Sequence, residues 1–265
     1  MNQWIQLAFR LQCAAWRIAS RCVVLPVTCL LSRKERHRLW RLWDLLFGSS
    51  RTGVYPEVGL EALIDPTTTV RLSNLVGHSY NVTPFELLSL AALTAHLRPN
   101  VAFEFGTADG RTTLYLALHT SPTGRVYTLN LPLEQDLQNP QKLPLGYYFL
   151  GSEAGKRIVQ LIGDSKTFDL SAYFGRCQLI FIDADHFEPS ITHDSLMALR
   201  MIDRRFGAIV WHDALRYDVQ TALPAIARQY GPIHLVSGSN LAILCFVDNK
   251  SVPPSSWKMQ TTEGS

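Results

Sequence analysis

From residue 83 onward the chain alternates between helix-like and strand-like patterns, and this alternation most constrains its fold. Short apolar runs that are typical of buried strands cover 101–105, 126–130, 158–162, 178–183 and 207–211, with helical periodicity between most of them. Strands joined by crossover helices form a parallel sheet with helices on both faces. We therefore expect a doubly wound α/β fold.

Both ends of this region carry clear local signals. Thr83, Pro84 and Glu86 supply an N-cap, a first-turn proline and a capping-box acid for a helix that precedes the first strand. Near the other end, "IHLVSG" and "LAILCFVD" are separated only by a short Gly-Ser-Asn turn, which predicts an antiparallel hairpin. The predicted sheet is Rossmann-like, mostly parallel and seven-stranded, and this hairpin lies at its C-terminal end.

Length and composition favour one principal domain, because 265 residues with 47% hydrophobic residues can bury one full α/β core. The predicted organisation follows chain order. It comprises a basic amphipathic helical extension (1–50), a lead-in or linker (51–80), the main domain (81–250) and a flexible tail (251–265).

The N-terminal extension carries most of the positive charge. The first 50 residues contain eight Arg or Lys and two acids, so the rest of the chain holds more acids than bases, although the net charge is +3. This distribution argues against nucleic-acid binding by the main domain. No apolar run is long enough to span a bilayer. Residues 1–48 could pack on the domain, form a homodimer, lie on an anionic membrane surface or act as an Arg-rich targeting peptide.

The five cysteines form no C-x-x-C pair and have no histidine at zinc-finger spacing. They indicate structural thiols in a reducing compartment, so the expected location is cytoplasmic, with peripheral membrane contact as the alternative.

The stretch "VAFEFGTADGRTT" leads from a strand into a helix through a glycine-containing loop. Gly106 and Gly110 allow a tight turn and close approach to a ligand, and the following helix directs N–H groups toward the loop. The spacing is not G-x-G-x-x-G, and Glu104 would repel a pyrophosphate. The loop therefore favours a cationic or amino-bearing ligand over a dinucleotide. The alternative is a strand-to-helix turn beside a solvated acid.

The chain resembles the class I S-adenosylmethionine (SAM)-dependent methyltransferases. The similarity runs from Asn81 to Val247 through "EFGTADG", "VYTLNLP", "LIGDS", "LIFIDADHFEP" and "GAIVWHDAL", in the order of the family's motifs. The most similar members are bacterial methyltransferases with a Trp-His-Asp strand end and metal-dependent small-molecule O-methyltransferases.

The resemblance implies a binding site for SAM. Glu104 and the loop with Gly106, Thr107, Asp109 and Gly110 would hold the amino and carboxylate end of the cofactor. Asn130 stands where the family usually has an acid that accepts hydrogen bonds from the ribose hydroxyls, and an amide oxygen accepts them more weakly. Asp164 and Ser165 would contact the adenine; alternatively they only cap a turn.

The reaction centre is expected at "FIDADH" and "WHD", where Asp183, Asp185, His186, His212 and Asp213 end two adjacent strands. Asp183, His212 and Asp213 could hold Mg²⁺ or another divalent cation, which would lower the pKa of an acceptor hydroxyl. Alternatively, a histidine acts directly as the base. In the metal-dependent relatives the matching ligands are an Asp and an Asp-Asn pair, so only Asp183 matches.

The long connection over 132–156 is a candidate substrate lid. Its aromatic residues Tyr147, Tyr148 and Phe149 would either line the acceptor pocket or pack on the sheet.

The main functional prediction is O-methylation of a small-molecule or sugar-like acceptor. Two alternatives remain at this stage, namely a weakly active SAM-binding protein that acts as a partner or scaffold, and another Rossmann-like nucleotide-dependent enzyme. The absence of G-x-G-x-x-G disfavours the last.

Overall fold

The computed structural model describes residues 55–73, 75, 82–132 and 143–252. The predicted N-terminal helices, most of the tail and positions 133–142 of the predicted lid lie outside these ranges. Every helix in the described ranges is too short or too polar to cross a lipid bilayer.

Nine strands of the described chain form one sheet. In chain order they are β1 (Glu57–Val58), β2 (Val101–Phe105), β3 (Arg125–Asn130), β4 (Ile158–Ile162), β5 (Leu179–Ile182), β6 (Phe206–Trp211), β7 (His234–Val236), β8 (Ala242–Val247) and β9 (Lys250–Val252). Each of the five strands predicted from apolar runs lies within one residue of its expected bounds.

The strand order is β1-β7-β8-β6-β5-β2-β3-β4, and β9 pairs with β8. The pairs from β6 through β5, β2 and β3 to β4 are parallel. β8 is antiparallel to β6, β7 and β9, so the predicted hairpin is confirmed. The fold class is also confirmed, but the sheet has nine strands instead of seven because the short β1 and β9 were not predicted. β1 lies in the expected linker and pairs with β7, and β9 extends into the expected tail as far as Val252.

Four α-helices in the described chain cover the sheet. They are α1 (Pro84–Leu97), α2 (Arg111–His119), α3 (Ser190–Met201) and α4 (Tyr217–Tyr230). Leu90 of α1 and Leu116 of α2 belong to the apolar cluster on one face of the sheet, whereas Leu199 of α3 and Leu223 of α4 belong to the cluster on the other. The result is a three-layer α/β/α arrangement.

The beginning of α1 follows the sequence signal. The Thr83 hydroxyl accepts a hydrogen bond from the Glu86 N–H at 3.3 Å, and Glu86 Oε2 accepts one from the Thr83 N–H at 2.8 Å. The predicted capping box is therefore confirmed, and it fixes the position of the buried Glu86 side chain.

The strand order creates a crevice between two neighbouring strands. β2 is followed along the chain by its neighbour β3, whereas its other neighbour, β5, comes later in the sequence. Ligands of doubly wound proteins bind at the carboxyl ends of strands at such a switch point. The motifs singled out in the sequence lie at this edge.

Cys177 and Cys245, the cysteines within the described residues, are free and buried. Burial raises the pKa of the Cys177 thiol to about 12 and raises the pKa of the Cys245 thiol as well. Both agree with the prediction of inert structural thiols.

Candidate active site

Three adjacent strands end in chemically distinctive residues at the switch point. β2 continues into Gly106, β5 into Asp183 and β6 into His212. The Asp183 N–H donates to the Phe105 carbonyl at 2.9 Å, and the His212 N–H donates to the Ile182 carbonyl at 3.0 Å. Backbone pairing therefore continues past the strand ends and brings the motifs together, as predicted.

The two glycines of the loop allow close contacts with other parts of the chain. Gly106 has φ 98°, and a Cβ there would lie 2.3 Å from the Asp183 carbonyl oxygen. Gly110 has φ 78°, and its Cβ would lie 2.6 Å from Cα of Gly146. The sequence analysis attributed both glycines to close approach of a ligand. In the structure they let β5 and the 146–149 segment lie against the loop.

Asn130, at the end of β3, holds the loop from the side. Its Oδ1 accepts hydrogen bonds from the N–H groups of Thr107 at 2.9 Å and Ala108 at 3.2 Å. Its Nδ2 donates to the Leu131 carbonyl at 2.9 Å. The amide oxygen expected to face a ribose thus already receives two backbone hydrogen bonds, which gives Asn130 a role in shaping the loop.

The other predicted loop residues also make internal contacts. Thr107 Oγ1 lies 2.7 Å from the Thr128 hydroxyl, and Asp109 Oδ1 accepts the Arg111 N–H at 3.0 Å. The Gly110 N–H donates to the Thr107 carbonyl at 2.8 Å. Several backbone donors of the loop are therefore satisfied within the protein, so the loop has a fixed shape.

The described part of the predicted lid lies against the same loop. The Gly146 N–H donates to the Ala108 carbonyl and the Tyr148 N–H to the Asp109 carbonyl, each at 3.0 Å. Phe149 is buried in the apolar cluster of α1 and α2, whereas Tyr147 is exposed. For Phe149 the structure thus agrees with the packing alternative.

Asp164 and Ser165 follow β4. Asp164 Oδ1 accepts the Lys166 N–H at 3.0 Å, and its carbonyl accepts the Phe168 N–H at 2.8 Å. The Ser165 carbonyl lies 3.1 Å from His193 Nε2. These contacts match the turn-capping alternative, and an adenine contact stays a prediction.

Glu104 is fully buried in β2, directly below the loop. Its Oε2 accepts hydrogen bonds from the hydroxyls of Thr113 and Thr128, the latter at 2.6 Å. Its Oε1 has no hydrogen-bond partner among the described residues. A buried polar atom without a partner is costly, and such atoms in native proteins commonly mark a bound ligand, ion or water.

The environment of Glu104 opposes its negative charge. Burial raises its pKa from 4.5 to about 8, against the hydrogen bonds from Thr113 and Thr128, and the charges of Asp183 and Asp109 add to the increase. The carboxyl is consequently mostly protonated at neutral pH unless a cation lies beside it. A positively charged group at Oε1 would remove this penalty.

His212 lies between two carboxylates. Its Nδ1 is 2.9 Å from Asp183 Oδ1, and its Nε2 is 3.4 Å from Glu86 Oε2. Both ring nitrogens can make these contacts as donors only when the ring carries two protons. Glu86 is held in turn by the Asn240 N–H, which donates to its Oε1 at 2.7 Å.

The charges around His212 support each other. Burial disfavours the His212 cation, but the charges of Asp183 and Asp213 outweigh burial and raise its pKa well above 6.5. Burial would likewise raise the pKa of Glu86, but the hydrogen bond and charge of His212 lower it to about 2. His212 is therefore an imidazolium at neutral pH and does not act as a general base in this arrangement.

The environment of His186 differs from that of His212. It is buried, and neither ring nitrogen has a hydrogen-bond partner among the described residues. Its Nε2 lies 3.4 Å from Asp183 Oδ1 and 3.7 Å from Asp213 Oδ2. His186 is therefore an imidazole without a hydrogen bond in the described residues that lies beside two carboxylates.

The two remaining aspartates of the motifs have local partners. Asp213 adopts a left-handed backbone conformation with φ 52°, and its Oδ2 lies 3.0 Å from Arg216 Nη1. Burial would raise the Asp213 pKa, but the charges of His212, His186 and Arg216 hold it well below its usual range. Asp185 Oδ1 faces the Phe187 N–H at 3.4 Å, away from the hydrogen bonds of His212.

The ligand atoms that could converge on a metal ion differ from the predicted set. One atom each from Asp183, His186 and His212 lies within 4.8 Å of the others, so His186 takes the place expected for Asp213. Two imidazoles and one carboxylate suit borderline ions such as Zn²⁺ or Fe²⁺, whereas Mg²⁺ prefers oxygen ligands. His212 would also have to give up one of its carboxylate contacts. The set therefore fits Mg²⁺ poorly.

Three residues that shape this site were not predicted from the sequence. Glu86 was assigned only to the capping box, and its contact with His212 joins residues that are distant in sequence. Thr113 and Thr128 were not singled out, although both hold Glu104. Thr128 carried a usable signal, since it is a polar residue inside a buried strand.

A family model described as a methyltransferase domain matches residues 103–214. This range includes the glycine-containing loop and both histidines of the site. The predicted resemblance to methyltransferases is thereby confirmed for this part of the chain. A search of curated protein sequences gave no match.

Solved structures provide weaker similarities. An O-methyltransferase from Bacillus cereus in complex with S-adenosylhomocysteine (SAH) is 19% identical, with 66% of this chain and 84% of that chain covered and a TM-score of 0.45. The O-methyltransferase TomG from Streptomyces achromogenes, involved in tomaymycin synthesis and solved with SAM, is 15% identical. For TomG, 82% of this chain and 99% of that chain are covered, with a TM-score of 0.48.

The substitution Glu104→Gln tests whether burial raises the pKa of this carboxyl. Because the pKa is raised from 4.5 to about 8, protonation stabilises the folded wild type, and this stabilisation is lost as pH rises through about 8. Glutamine does not titrate. The free energy of unfolding of the variant minus that of wild type should therefore increase from about pH 5 to about pH 9 in urea denaturation. The exposed Glu153→Gln is the control, and a difference for Glu104→Gln that is independent of pH would contradict the assignment.

Proposed function

We propose that this chain, whose residues 103–214 match a family model described as a methyltransferase domain, transfers a methyl group from SAM to a hydroxyl oxygen of a small-molecule or sugar-like acceptor. The observation that supports the cofactor assignment is the buried Oε1 of Glu104 at the switch point, which has no hydrogen-bond partner in the described part of the chain. The observation that supports the assignment of the acceptor base is the imidazole of His186, which likewise has no hydrogen-bond partner there and lies beside two carboxylates.

The donor set around Glu104 fits the amino-acid end of SAM. The ammonium group of SAM can donate a charge-assisted hydrogen bond to Oε1, while Thr113 and Thr128 keep Oε2 in place. The positive charge would shift Glu104 to its ionised form. A dinucleotide does not fit as well, because its pyrophosphate would meet a carboxyl group in place of N–H donors. When bound, SAM supplies a methyl group that its sulfonium has already activated.

Because the methyl group of SAM is already activated, the main task of the protein is to align the reacting groups. The enzyme has to hold the acceptor oxygen in line with the methyl group and remove the hydroxyl proton. The strands β2, β5 and β6 are neighbours, and their carboxyl ends lie side by side. Glu104, which is proposed to bind the cofactor, and the polar residues after β5 and β6 therefore lie at the same crevice.

His186 is the proposed general base. A neutral imidazole can accept the acceptor's hydroxyl proton at whichever ring nitrogen lacks one. The resulting imidazolium would lie near Asp183 and Asp213, at 3.4 and 3.7 Å, and these carboxylates would compensate its charge. The proton thus moves to an imidazole that lies beside two carboxylates.

His212 is proposed to have a positioning role. As an imidazolium bound to both Asp183 and Glu86, it keeps the Asp183 carboxylate ionised and oriented. It also connects α1 to the end of β6. Glu86 therefore acts through His212 and Asp183, without touching the acceptor.

A divalent ion is the alternative route to acceptor activation. Bound at Asp183, His186 and His212, it would act as a Lewis acid that lowers the pKa of a coordinated hydroxyl. The hydrogen bonds of His212 favour the base mechanism, because that imidazole already uses both nitrogens.

Isothermal titration calorimetry with SAM, SAH and NAD tests the cofactor assignment. SAM and SAH should bind, and NAD should not. Glu104→Gln should weaken SAM binding about tenfold or more, because it removes a charge-assisted contact of roughly 1.5–3 kcal/mol. Glu153→Gln, at an exposed position, should leave the affinity unchanged. Binding of NAD, or equal SAM affinity in wild type and Glu104→Gln, would contradict the proposal.

A panel of hydroxylated small molecules, assayed by SAH formation, tests the reaction centre. His186→Ala should lower turnover by about 10²- to 10⁴-fold with the SAM dissociation constant nearly unchanged. His234→Ala, at a histidine in β7, which β8 separates from β6, is the matched control.

The same assay distinguishes the base from the metal mechanism. The base mechanism predicts that EDTA leaves turnover unchanged. Loss of turnover with EDTA and recovery with added Mn²⁺ or Zn²⁺ would replace it by the metal mechanism. Absence of SAH formation with every acceptor, despite SAM binding, would favour the scaffold alternative.

A further inference from the structure

A basic pocket lies at the amino ends of the strands, whereas the candidate active site lies at their carboxyl ends. Its cavity has a volume of about 460 Å³, and its walls include Arg71, Arg98, Arg157 and His119. The residues that line it come from the carboxyl ends of α1 and α2, the turn after α2, the residue before β4 and the segment 69–71. These elements place it at the amino ends of β2, β3 and β4, away from Glu104 and His212.

Among the described residues, the pocket contains positive charge without a compensating acid, since none of the nine that line it is Asp or Glu. Within the same residues, Arg71, Arg98 and Arg157 form no ion pair, and no hydrogen bond is made by the guanidinium groups of Arg71 and Arg98. The carboxyl ends of α1 and α2 contribute about half a negative charge each. About two positive charges therefore remain unbalanced, although the chain after residue 50 carries more acids than bases.

The arginines are placed by fixed parts of the structure. His119 is buried, its Nδ1 lies 2.7 Å from the Tyr115 carbonyl, and its Nε2 accepts the Arg71 N–H at 2.8 Å. The Tyr115 hydroxyl accepts the Ser73 N–H at 3.0 Å. These two hydrogen bonds attach the 71–73 segment to α2, and the Arg71 side chain extends from that anchored backbone.

The other two arginines are also anchored. Arg157 Nη1 donates to Thr120 Oγ1 at 3.4 Å and to the Ser121 carbonyl at 3.3 Å. Arg98 is the left-handed C-cap of α1, where its N–H donates to the Thr94 carbonyl at 2.7 Å. Three arginines thus line one cavity from three separately fixed backbone segments.

His119 is neutral and therefore adds no positive charge to the pocket. Its Nδ1 faces a carbonyl and so carries the proton, while its Nε2 accepts a backbone N–H, which defines the neutral tautomer. The charge of the pocket is therefore that of the arginines. Their planar forks match the oxygen geometry of phosphate groups.

We propose that this pocket is a second ligand site, which binds the phosphate group of a small phosphorylated compound or of a lipid headgroup, separately from the methyl-transfer site.

Calorimetry of the full chain with pyrophosphate tests the soluble source. Wild type should bind, Arg71→Ala should raise the dissociation constant about tenfold, and Arg71→Ala/Arg98→Ala should abolish binding. Both arginines are exposed and donate no side-chain hydrogen bond to any described residue, so these variants should fold. Arg228→Ala is the matched control, because Arg228 lies in the last turn of α4 and does not line the pocket.

Cosedimentation with phosphatidylcholine vesicles, with and without phosphatidic acid, tests the lipid source. Binding that requires phosphatidic acid and is reduced in Arg71→Ala/Arg98→Ala, but not in Arg228→Ala, supports a lipid headgroup. The proposal is overturned if neither probe binds, if the double variant binds both probes as wild type does, or if Arg228→Ala is equally impaired. SAM affinity, measured in parallel, should be the same in all these variants, so the outcome is independent of the proposed catalytic function.

Discussion

The burial of one carboxyl group, Glu104, governs the arrangement of the candidate active site. A carboxyl in the middle of a parallel sheet loses its water, and only two threonine hydroxyls replace that water on one oxygen. The pKa increase to about 8 reflects this loss. A sequence selected for stability alone would place an apolar residue there. A residue that costs stability at a switch point is a feature of binding sites, where the ligand supplies the missing interaction.

Around His212, in contrast to Glu104, the buried charged groups have partners of opposite charge. Asp183, Glu86 and His212 compensate one another, so the pKa values of both carboxyls are lowered and that of the imidazole is raised. The site thus contains one buried carboxyl, Glu104, that has no cation beside it among the described residues. It also contains three charged groups, Asp183, Glu86 and His212, that compensate one another. This contrast is the basis of our proposal that Glu104 binds the cofactor and that His186, whose imidazole has no hydrogen-bond partner among the described residues, activates the acceptor.

Most of the fold could be predicted because its signals are local. Apolar runs gave the central strands, and Thr83 with Glu86 gave the start of α1. Two short strands were missed, because two or three residues are too few to show a period. The edge of the sheet that carries the site was also predictable, since strand ends of a parallel sheet meet there. Individual roles were not, because they depend on contacts between residues distant in sequence. Asn130 bonds to the loop at Thr107, and Glu86 reaches His212.

The most direct test of the central claim is the number of protons released when SAM binds, measured by calorimetry at about pH 6.5 in buffers of different ionisation enthalpy. Glu104 is protonated in the free protein under these conditions and would be ionised beside the SAM ammonium group. If SAM ionises Glu104 on binding, wild type should release about one proton more than Glu104→Gln. Equal proton release in the two proteins would contradict it, because SAM would then bind without changing the ionisation of Glu104.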